Sequence, residues 1–176
     1  EDDHTPDPGT LCFVTGAGVP GGSAGISDVD NGCVTLTSPM LNLTTMEESI
    51  VSYWRWFALE GPQDGSFTVD VTSNGGATWY TLETLGATEN AWTQVTFNLT
   101  GLIDFTDQVR VRYKACDTGS ESLVEAAIDD FAIEGIPVPP TSVEGSEAVS
   151  GPRLYANRPN PFSGRTELRF RLESAG

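Results

Sequence analysis

Hydrophobic and polar residues alternate along most of this chain with a period of two. In the segment 66–72, Phe67, Val69 and Val71 fall on one side of an extended backbone and polar residues fall on the other. Similar alternating or apolar runs occupy residues 11–15, 33–37, 50–59, 78–85, 92–99, 108–115 and 123–134. A period of two is typical of β-strands. About eight short strands with turn residues between them predict an all-β fold, a two-sheet antiparallel jelly roll or β-sandwich.

Two segments carry further information about strand pairing. The run 50–59 is apolar on both faces, which indicates a central strand that is covered on each side. Asn74-Gly75 lies between the alternating segments 66–72 and 78–85, and this dipeptide predicts a tight hairpin turn between two paired strands.

The C-terminal segment 166–172 is one more amphipathic strand, with Leu168, Phe170 and Leu172 on its apolar face. A single strand can neither satisfy its own backbone nor bury its own apolar face. We therefore expect this segment to pair with another strand, either in a neighbouring copy or in its own. We also expect nearby arginines to contact that partner, namely Arg165, Arg169 and Arg171.

A linker separates this strand from the rest of the chain. Residues 137–152 are rich in Pro, Gly and Ser, a composition typical of extended or flexible connections. The predicted organisation is a β-sandwich over residues 1–136, the linker over 137–152, and a partial C-terminal domain or donor strand over 153–176. The protein would thus have an extended C-terminal tail that ends in a β-strand.

Charge is distributed unevenly along the chain. The formal net charge is −16, which disfavours binding to nucleic acid or to anionic membranes. Residues 1–140 hold four bases and 21 acids, a net charge of −17, whereas residues 153–172 hold five arginines and one glutamate, a net charge of +4. The basic tail and the acidic body are therefore predicted to attract each other. No run of about 18 apolar residues is present, so no membrane span is predicted.

The three cysteines predict at most one disulfide. Cys12 and Cys33 each open a short strand-like run, and a bond between them would close the Gly-rich loop 16–32. Cys116 would then be free or bonded to another molecule, although three reduced thiols are an equal alternative.

The residue types disfavour most enzymes and leave calcium as the favoured chemical prediction. Only one histidine, His4, is present, so multi-histidine metal sites are excluded and catalytic triads are disfavoured. Calcium binds carboxylate and carbonyl oxygens, and candidate ligands are Asp28, Asp30, Asp129 and Asp130. The alternative is that Asp129 and Asp130 stabilise a bulge. Tryptophans 54, 56, 79 and 92 could stack on sugars, although aromatic residues on central strands more often belong to a core.

Several stretches resemble the MAM-like jelly-roll modules of secreted bacterial proteins. They are residues 28–39, 52–56, 73–79 and 124–131, the last containing Ile128-Asp129-Asp130. The resemblance implies an extracellular β-sandwich that often places calcium between an early loop and the final strand. That placement would bring the two aspartate pairs together. Such modules usually begin with one strand more than this chain has, so the sandwich is expected to contain an open groove.

The tail resembles a second kind of domain. Residues 154–172, with Pro159-Asn160-Pro161-Phe162 at their centre, are similar to the opening of the immunoglobulin-like C-terminal domains of hook-capping proteins and of type IX sorting domains. The remaining strands of such a domain are not present in this sequence.

These features predict a non-enzymatic, extracellular structural subunit. Copies of the chain would assemble head to tail, into a filament, as the C-terminal strand of one copy joins the sandwich of the next. The alternative is an accessory module of a larger secreted hydrolase or protease that binds glycans or cell surfaces.

Overall fold

The computed structural model describes residues 3–5, 8–19, 25–61, 64–119, 122–139, 153–154 and 170–171, the last two pairs by their backbone alone. The chain forms two compact units, Glu1–Val138 and Pro139–Gly176. The described residues form no helix, and none of them therefore provides an apolar helix of membrane-spanning length.

The first unit is an all-β sandwich of two antiparallel sheets, as the alternating pattern predicts. Its strands are β1 (Phe13–Val14), β2 (Gly32–Thr37), β3 (Met46–Glu60), β4 (Gly65–Thr72), β5 (Tyr80–Leu85), β6 (Glu89–Asn98), β7 (Arg110–Asp117) and β8 (Leu123–Pro137). Sheet A has the strand order β1-β8-β3-β6, and sheet B has the order β2-β7-β4-β5. The long strands β3 and β8 pair along nearly their whole length and form the centre of sheet A.

The second unit contains a short antiparallel ribbon. Its strands are β9 (Arg153–Leu154) and β10 (Phe170–Arg171), and Phe170 pairs with Leu154. The end of the predicted C-terminal strand therefore has a partner in its own chain, although the pairing described covers two residues on each side.

The core lies between the two sheets. Phe67, Val69 and Val71 are at most 1% exposed, so the predicted inward face of β4 is confirmed. On the opposing sheet A, they pack against odd-numbered residues of β3, including Tyr53 and Phe57. Each strand thus contributes every second side chain to the core, the arrangement that alternation requires.

The connection between β4 and β5 is longer than the predicted tight turn. Residues 73–79 form a loop that the Asn74 side chain organises, because its Oδ1 accepts hydrogen bonds from the Thr72 hydroxyl (2.8 Å) and the Thr78 N–H (2.9 Å). Gly75 and Gly76 have φ angles of 70° and 104°, a region that favours glycine. The two strands pair as predicted, but the second begins at Tyr80.

The predicted Cys12–Cys33 disulfide is wrong. Cys33 is bonded to Cys116, and Cys12 is a free thiol. The reason is strand register: Cys33 on β2 lies directly opposite Cys116 on β7, with the two Cα atoms 4.0 Å apart. Pairing across adjacent strands cannot be read from the sequence before the strand order is known.

An ionic network links the two sheets at one side of the sandwich. The Arg55 guanidinium on β3 is bonded to Glu83 on β5 and to Glu89 on β6, each at 2.6 Å, and the Tyr53 hydroxyl donates to Glu83 at 2.9 Å. Burial opposes the charge on Arg55, but the hydrogen bonds that its guanidinium donates to both glutamates raise its pKa overall. Burial, with help from Glu83, raises the pKa of Tyr53. The central strand is therefore not apolar throughout.

The sandwich is incomplete on the opposite side. Strand β2 is an edge strand, and β1 pairs with β8 at Ala127 and Ile128. Backbone hydrogen bonds from Thr15 to the Ala126 carbonyl and from Val29 to the Val124 carbonyl, each at 3.0 Å, continue along the same edge of β8. Among the described residues, β8 has no strand partner on that side beyond these two positions. An opening of about 150 Å³ lies between the two edges, and its lining is mostly apolar, including Phe13, Val34, Leu36, Tyr113 and Ile128.

Candidate ligand-binding face

Three of the four tryptophans lie together on the outer face of sheet A. Trp54 and Trp56 alternate with the core residues of β3 and so point away from the core. Trp56 packs with Ala58 and Ala127, and Trp92 of β6 packs against this group. We call Trp54, Trp56 and Trp92 the aromatic face. Trp56 is buried in this small cluster, as the core interpretation predicts, whereas Trp54 and Trp92 are partly exposed.

The N-terminal segment 3–5, which we call the arm, lies across the aromatic face. The imidazole of His4 stacks on Trp54, with ring centroids 3.6 Å apart and planes inclined by 19°. The same ring meets Trp92 edge-on at 5.9 Å. A flat ring therefore already occupies the outer surface of the Trp54 indole.

Asp129 and Asp130 hold the arm in place. The His4 N–H donates to Asp129 (3.1 Å), and His4 Nδ1 lies 2.9 Å from an Asp130 oxygen. The Thr5 hydroxyl donates to Asp130 at 2.7 Å, and its N–H donates to Asp129 at 3.3 Å. Both aspartates thus accept hydrogen bonds from the arm.

The two aspartates lie at an irregularity in β8. The register with β3 shifts between Ser52 and Trp54, and Asp130 has a φ of 48°. This arrangement agrees with the alternative interpretation, in which the two aspartates stabilise a bulge. A bulge re-aims side chains, and here it turns both carboxylates towards the arm.

A third carboxyl group, that of Asp3, joins this cluster. The adjacent Asp129 carboxyl raises the pKa of Asp3. Burial opposes ionisation of Asp129, but hydrogen bonds from Asp3 and from the N–H groups of Asp130, Thr5 and His4 lower its pKa overall. Neighbouring carboxyl groups oppose each other's ionisation, and a proton or a cation between them relieves this repulsion. Asp129, Asp130 and His4 also form the group of possible metal ligands found within the described residues.

A cavity lies beside the aromatic face. Its volume is about 540 Å³, and it lies between the segment 10–19 and the outer side of sheet A. Its lining includes Trp56, Glu125, Thr10, Thr15 and Ile26. A concave space of this size with a few polar groups is typical of small-molecule sites.

The predicted calcium ligands Asp28 and Asp30 lie elsewhere. They flank Val29, whose N–H donates to the Val124 carbonyl at 3.0 Å. Asp129 is five residues further along β8, or about 16 Å along an extended strand. The structure therefore does not bring the two predicted aspartate pairs together, although Asp28 Oδ1 is buried and has no hydrogen-bond partner in the described part of the chain.

The fourth tryptophan and the basic residues lie on the outer face of sheet B. Arg112 of β7 stacks over the Trp79 ring at 4.0 Å and pairs with Asp70 of β4 at 2.7 Å. The predicted partner-binding side chains of the tail lie outside the described residues, namely Leu168, Phe170, Leu172, Arg165, Arg169 and Arg171.

The arm is the part of this site that the sequence did not predict. His4 and Thr5 sit in a short acidic segment with Pro6 and Pro8, without a period that would indicate a strand or a helix. The only available signal was chemical, because the single histidine lies in the same segment as several acids.

No family model matches the chain, and no curated protein matches it. The solved structure of the carbohydrate-binding module TmCBM61, in complex with β-1,4-galactotriose, is similar in part. The two are 11% identical over 62% of this chain and 68% of that chain, with a TM-score of 0.37. The fold described above stands on the strand pairing of this chain alone, and membership of the MAM-like or type IX families stays a prediction.

Proposed function

We propose that the first unit is a non-enzymatic, extracellular module that binds glycans on the aromatic face. The observation that carries this proposal is the grouping of Trp54, Trp56 and Trp92 on the outside of sheet A, beside a cavity of about 540 Å³. This is the alternative that the sequence left open, and the geometry favours it over self-assembly as the main function.

The chemistry of the face suits a sugar. One side of a pyranose ring presents C–H groups that pack on a flat indole, and the ring edge presents hydroxyls that need hydrogen-bond partners. The Asp129 and Asp130 carboxylates accept hydrogen bonds, and Thr10 and Thr15 line the adjacent cavity. Aromatic surface with a few placed polar groups is the usual composition of a ligand pocket.

Ligand binding on Trp54 requires the arm to move. His4 stacks on the surface that a sugar would use, so the two compete. The free energy that the ligand gains by contacting Trp54 and the aspartates must exceed the free energy that is lost when the arm leaves them. Removing the His4 ring is therefore expected to strengthen binding rather than weaken it.

An extracellular location is supported by the Cys33–Cys116 disulfide. Disulfides persist in oxidising compartments and are rare in the cytosol. The absence of catalytic function is proposed on the basis of residue types: the one histidine is engaged with Trp54 and Asp130.

A glycan array with the full chain tests the proposal. We expect Trp54→Ala to lose binding and His4→Ala to retain or increase it. Trp79→Ala is the matched control, because Trp79 lies on the other sheet, and it should bind as the native chain does. Absence of any bound glycan, or equal binding by the Trp54 variant, would contradict the proposal.

Calcium stays a proposal, with a revised set of ligands. The oxygens of Asp3, Asp129 and Asp130 and the Thr5 hydroxyl are hard donors of the kind that calcium prefers, and the Asp3–Asp129 contact would be relieved by a cation. In this arrangement Asp28 and Asp30 are not ligands. We expect EDTA to lower the melting temperature of the native chain and to leave that of Asp130→Ala unchanged. An equal effect of EDTA on both proteins, or none on either, would end this proposal.

Self-association is the second candidate function, and the incomplete side of the sandwich favours it. The outer edge of β2, which has no strand partner among the described residues, and the apolar opening beside it could accept a strand. The tail supplies a candidate: residues 166–172 alternate, and the segment 153–172 carries a charge of +4 against a body of −17. Strand addition to this opening would link copies head to tail.

A further inference from the structure

Most of the positive charge of the sandwich lies in one row on sheet B. Arg110, Arg112 and Lys114 alternate along β7, so their side chains share one face at a spacing of about 7 Å. Residues 1–140 contain one other base, Arg55, which is buried against two glutamates. We call the three β7 residues the basic row.

Hydroxyl groups rather than acids flank the basic row. Lys114 lies opposite Thr35 on β2 and Thr68 on β4. Arg112 lies opposite Asp70, the one carboxylate at the positions of the described strands that pair with the row. Three cations and one carboxylate give this face a charge of +2, in a protein whose net charge is −16.

The row retains hydrogen-bond donors that the described residues do not use. Arg112 is fixed by Asp70 and by Trp79. In contrast, Nε of Arg110 is buried and has no acceptor in the described part of the chain, and no ion pair or hydrogen bond joins the Lys114 ammonium to any described residue. Arg110 and Lys114 are only partly buried, so an anion from solvent can approach their charges without displacing a carboxylate of the described residues.

We propose that the basic row binds an acidic polysaccharide through its carboxylate or sulfate groups. Arginine donates paired N–H groups that match such anions, and the flanking threonines can bond to sugar hydroxyls. Trp79 lies on the same face, where Arg112 stacks over its ring. This surface is on sheet B, so it is separate from the aromatic face of sheet A and does not depend on it.

A polysaccharide fits the charge of the molecule better than a nucleic acid. A nucleic acid carries a charge at every phosphate, and the acidic remainder of this protein would repel a long chain of that kind. A polysaccharide with more widely spaced anions meets less repulsion, and its neutral hydroxyls suit the threonines beside the row.

Binding of the full chain to immobilised dextran sulfate and polygalacturonate, at several salt concentrations, tests this inference. We expect binding to at least one of the two, weakening as salt increases. The double variant Arg110→Gln/Lys114→Gln should bind about tenfold more weakly, since two exposed charge pairs are lost. Lys114→Gln alone should show a smaller loss, and it provides a second test if the double variant does not fold.

The matched control is Thr96→Glu/Asn98→Asp, which also lowers the net charge by two but changes exposed residues of β6 on sheet A. It should bind within about twofold of the native chain, as expected if surface substitutions remote from the ligand have small effects. An equal loss in both double variants would show that net charge, and not the row, governs binding. Failure of the native chain to bind either polymer at low salt, or equally tight binding of single-stranded DNA, would also overturn the inference.

Discussion

At the scale of single residues, the Arg55 network is the most demanding feature of the core. The side chains of Arg55 and Glu83 are 6% and 12% exposed. Their opposite charges form an ion pair between the two sheets. A buried ion pair contributes little net stability when intact, but removal of one partner leaves a charge without compensation. Removing one member of the network is therefore expected to destabilise the fold by more than the intact network stabilises it.

We expect Glu83→Ala to lower the free energy of unfolding by about 2–3 kcal/mol, because it leaves Arg55 with Glu89 alone and removes the acceptor of the Tyr53 hydroxyl. The measurement is urea unfolding followed by circular dichroism. Thr84→Ala, the exposed neighbour on β5, is the control and should change stability by less than about 0.5 kcal/mol. A loss below about 1 kcal/mol for Glu83→Ala would show that water or Glu89 compensates Arg55.

Single residues were predicted well where alternation governs them and poorly where strand order does. Phe67, Val69 and Val71 needed only the period of two. The pairing of Cys33 with Cys116 needed the knowledge that β2 and β7 are neighbours, which local sequence does not contain. Asp129 was predicted to be a candidate calcium ligand. A charge within a strand is unfavourable without a partner, but the partners of Asp129 lie on the arm, more than 120 residues away in sequence.

At the scale of elements, the strands were predictable and the connections were not. The predicted segments 66–72 and 123–134 correspond to β4 (Gly65–Thr72) and to most of β8 (Leu123–Pro137). The loop after β4 is longer than its Asn-Gly signal suggested, because hydrogen bonds of Asn74 to Thr72 and Thr78 stabilise an extended loop. Turn chemistry thus indicated where the chain reverses but not how many residues it uses.

The strand-addition hypothesis belongs to this scale, and a set of full-chain variants tests it. By light scattering after size exclusion, the native chain should exceed its monomer mass of 18.8 kDa at high concentration. Replacing Leu168, Phe170 and Leu172 with serine should return it to a monomer. Serine at Val138, Val143 and Val149, three apolar residues that precede the tail strand, is the matched control and should retain assembly.

A second pair of variants tests the apolar opening that would accept the tail strand. Val34→Glu places a charge in the apolar opening and should abolish assembly, whereas Leu102→Glu should not, although both native side chains are 41% exposed. A native chain that is monomeric at every concentration would contradict self-association. Oligomers that persist in the Leu168/Phe170/Leu172 variant would show that another surface joins the copies.

At the scale of the whole molecule, the two sheets present different chemistry to their surroundings. The outside of sheet A offers tryptophans and carboxylates, and the outside of sheet B offers cations and threonine hydroxyls. The sequence identified the four tryptophans as candidates for stacking on sugars. It could not predict that Trp92 joins Trp54 and Trp56 while Trp79 does not, since that grouping depends on which strands share a sheet.

The central claim is that the aromatic face binds glycans. Its most direct test is a titration of the full chain with a glycan, followed by the four tryptophan indole N–H signals in ¹H–¹⁵N NMR spectra. The account predicts that the signals of Trp54 and Trp92 shift with one saturating affinity while that of Trp79 stays in place. Saturable binding that moves the Trp79 signal alone, or that leaves all four signals unmoved, would contradict it.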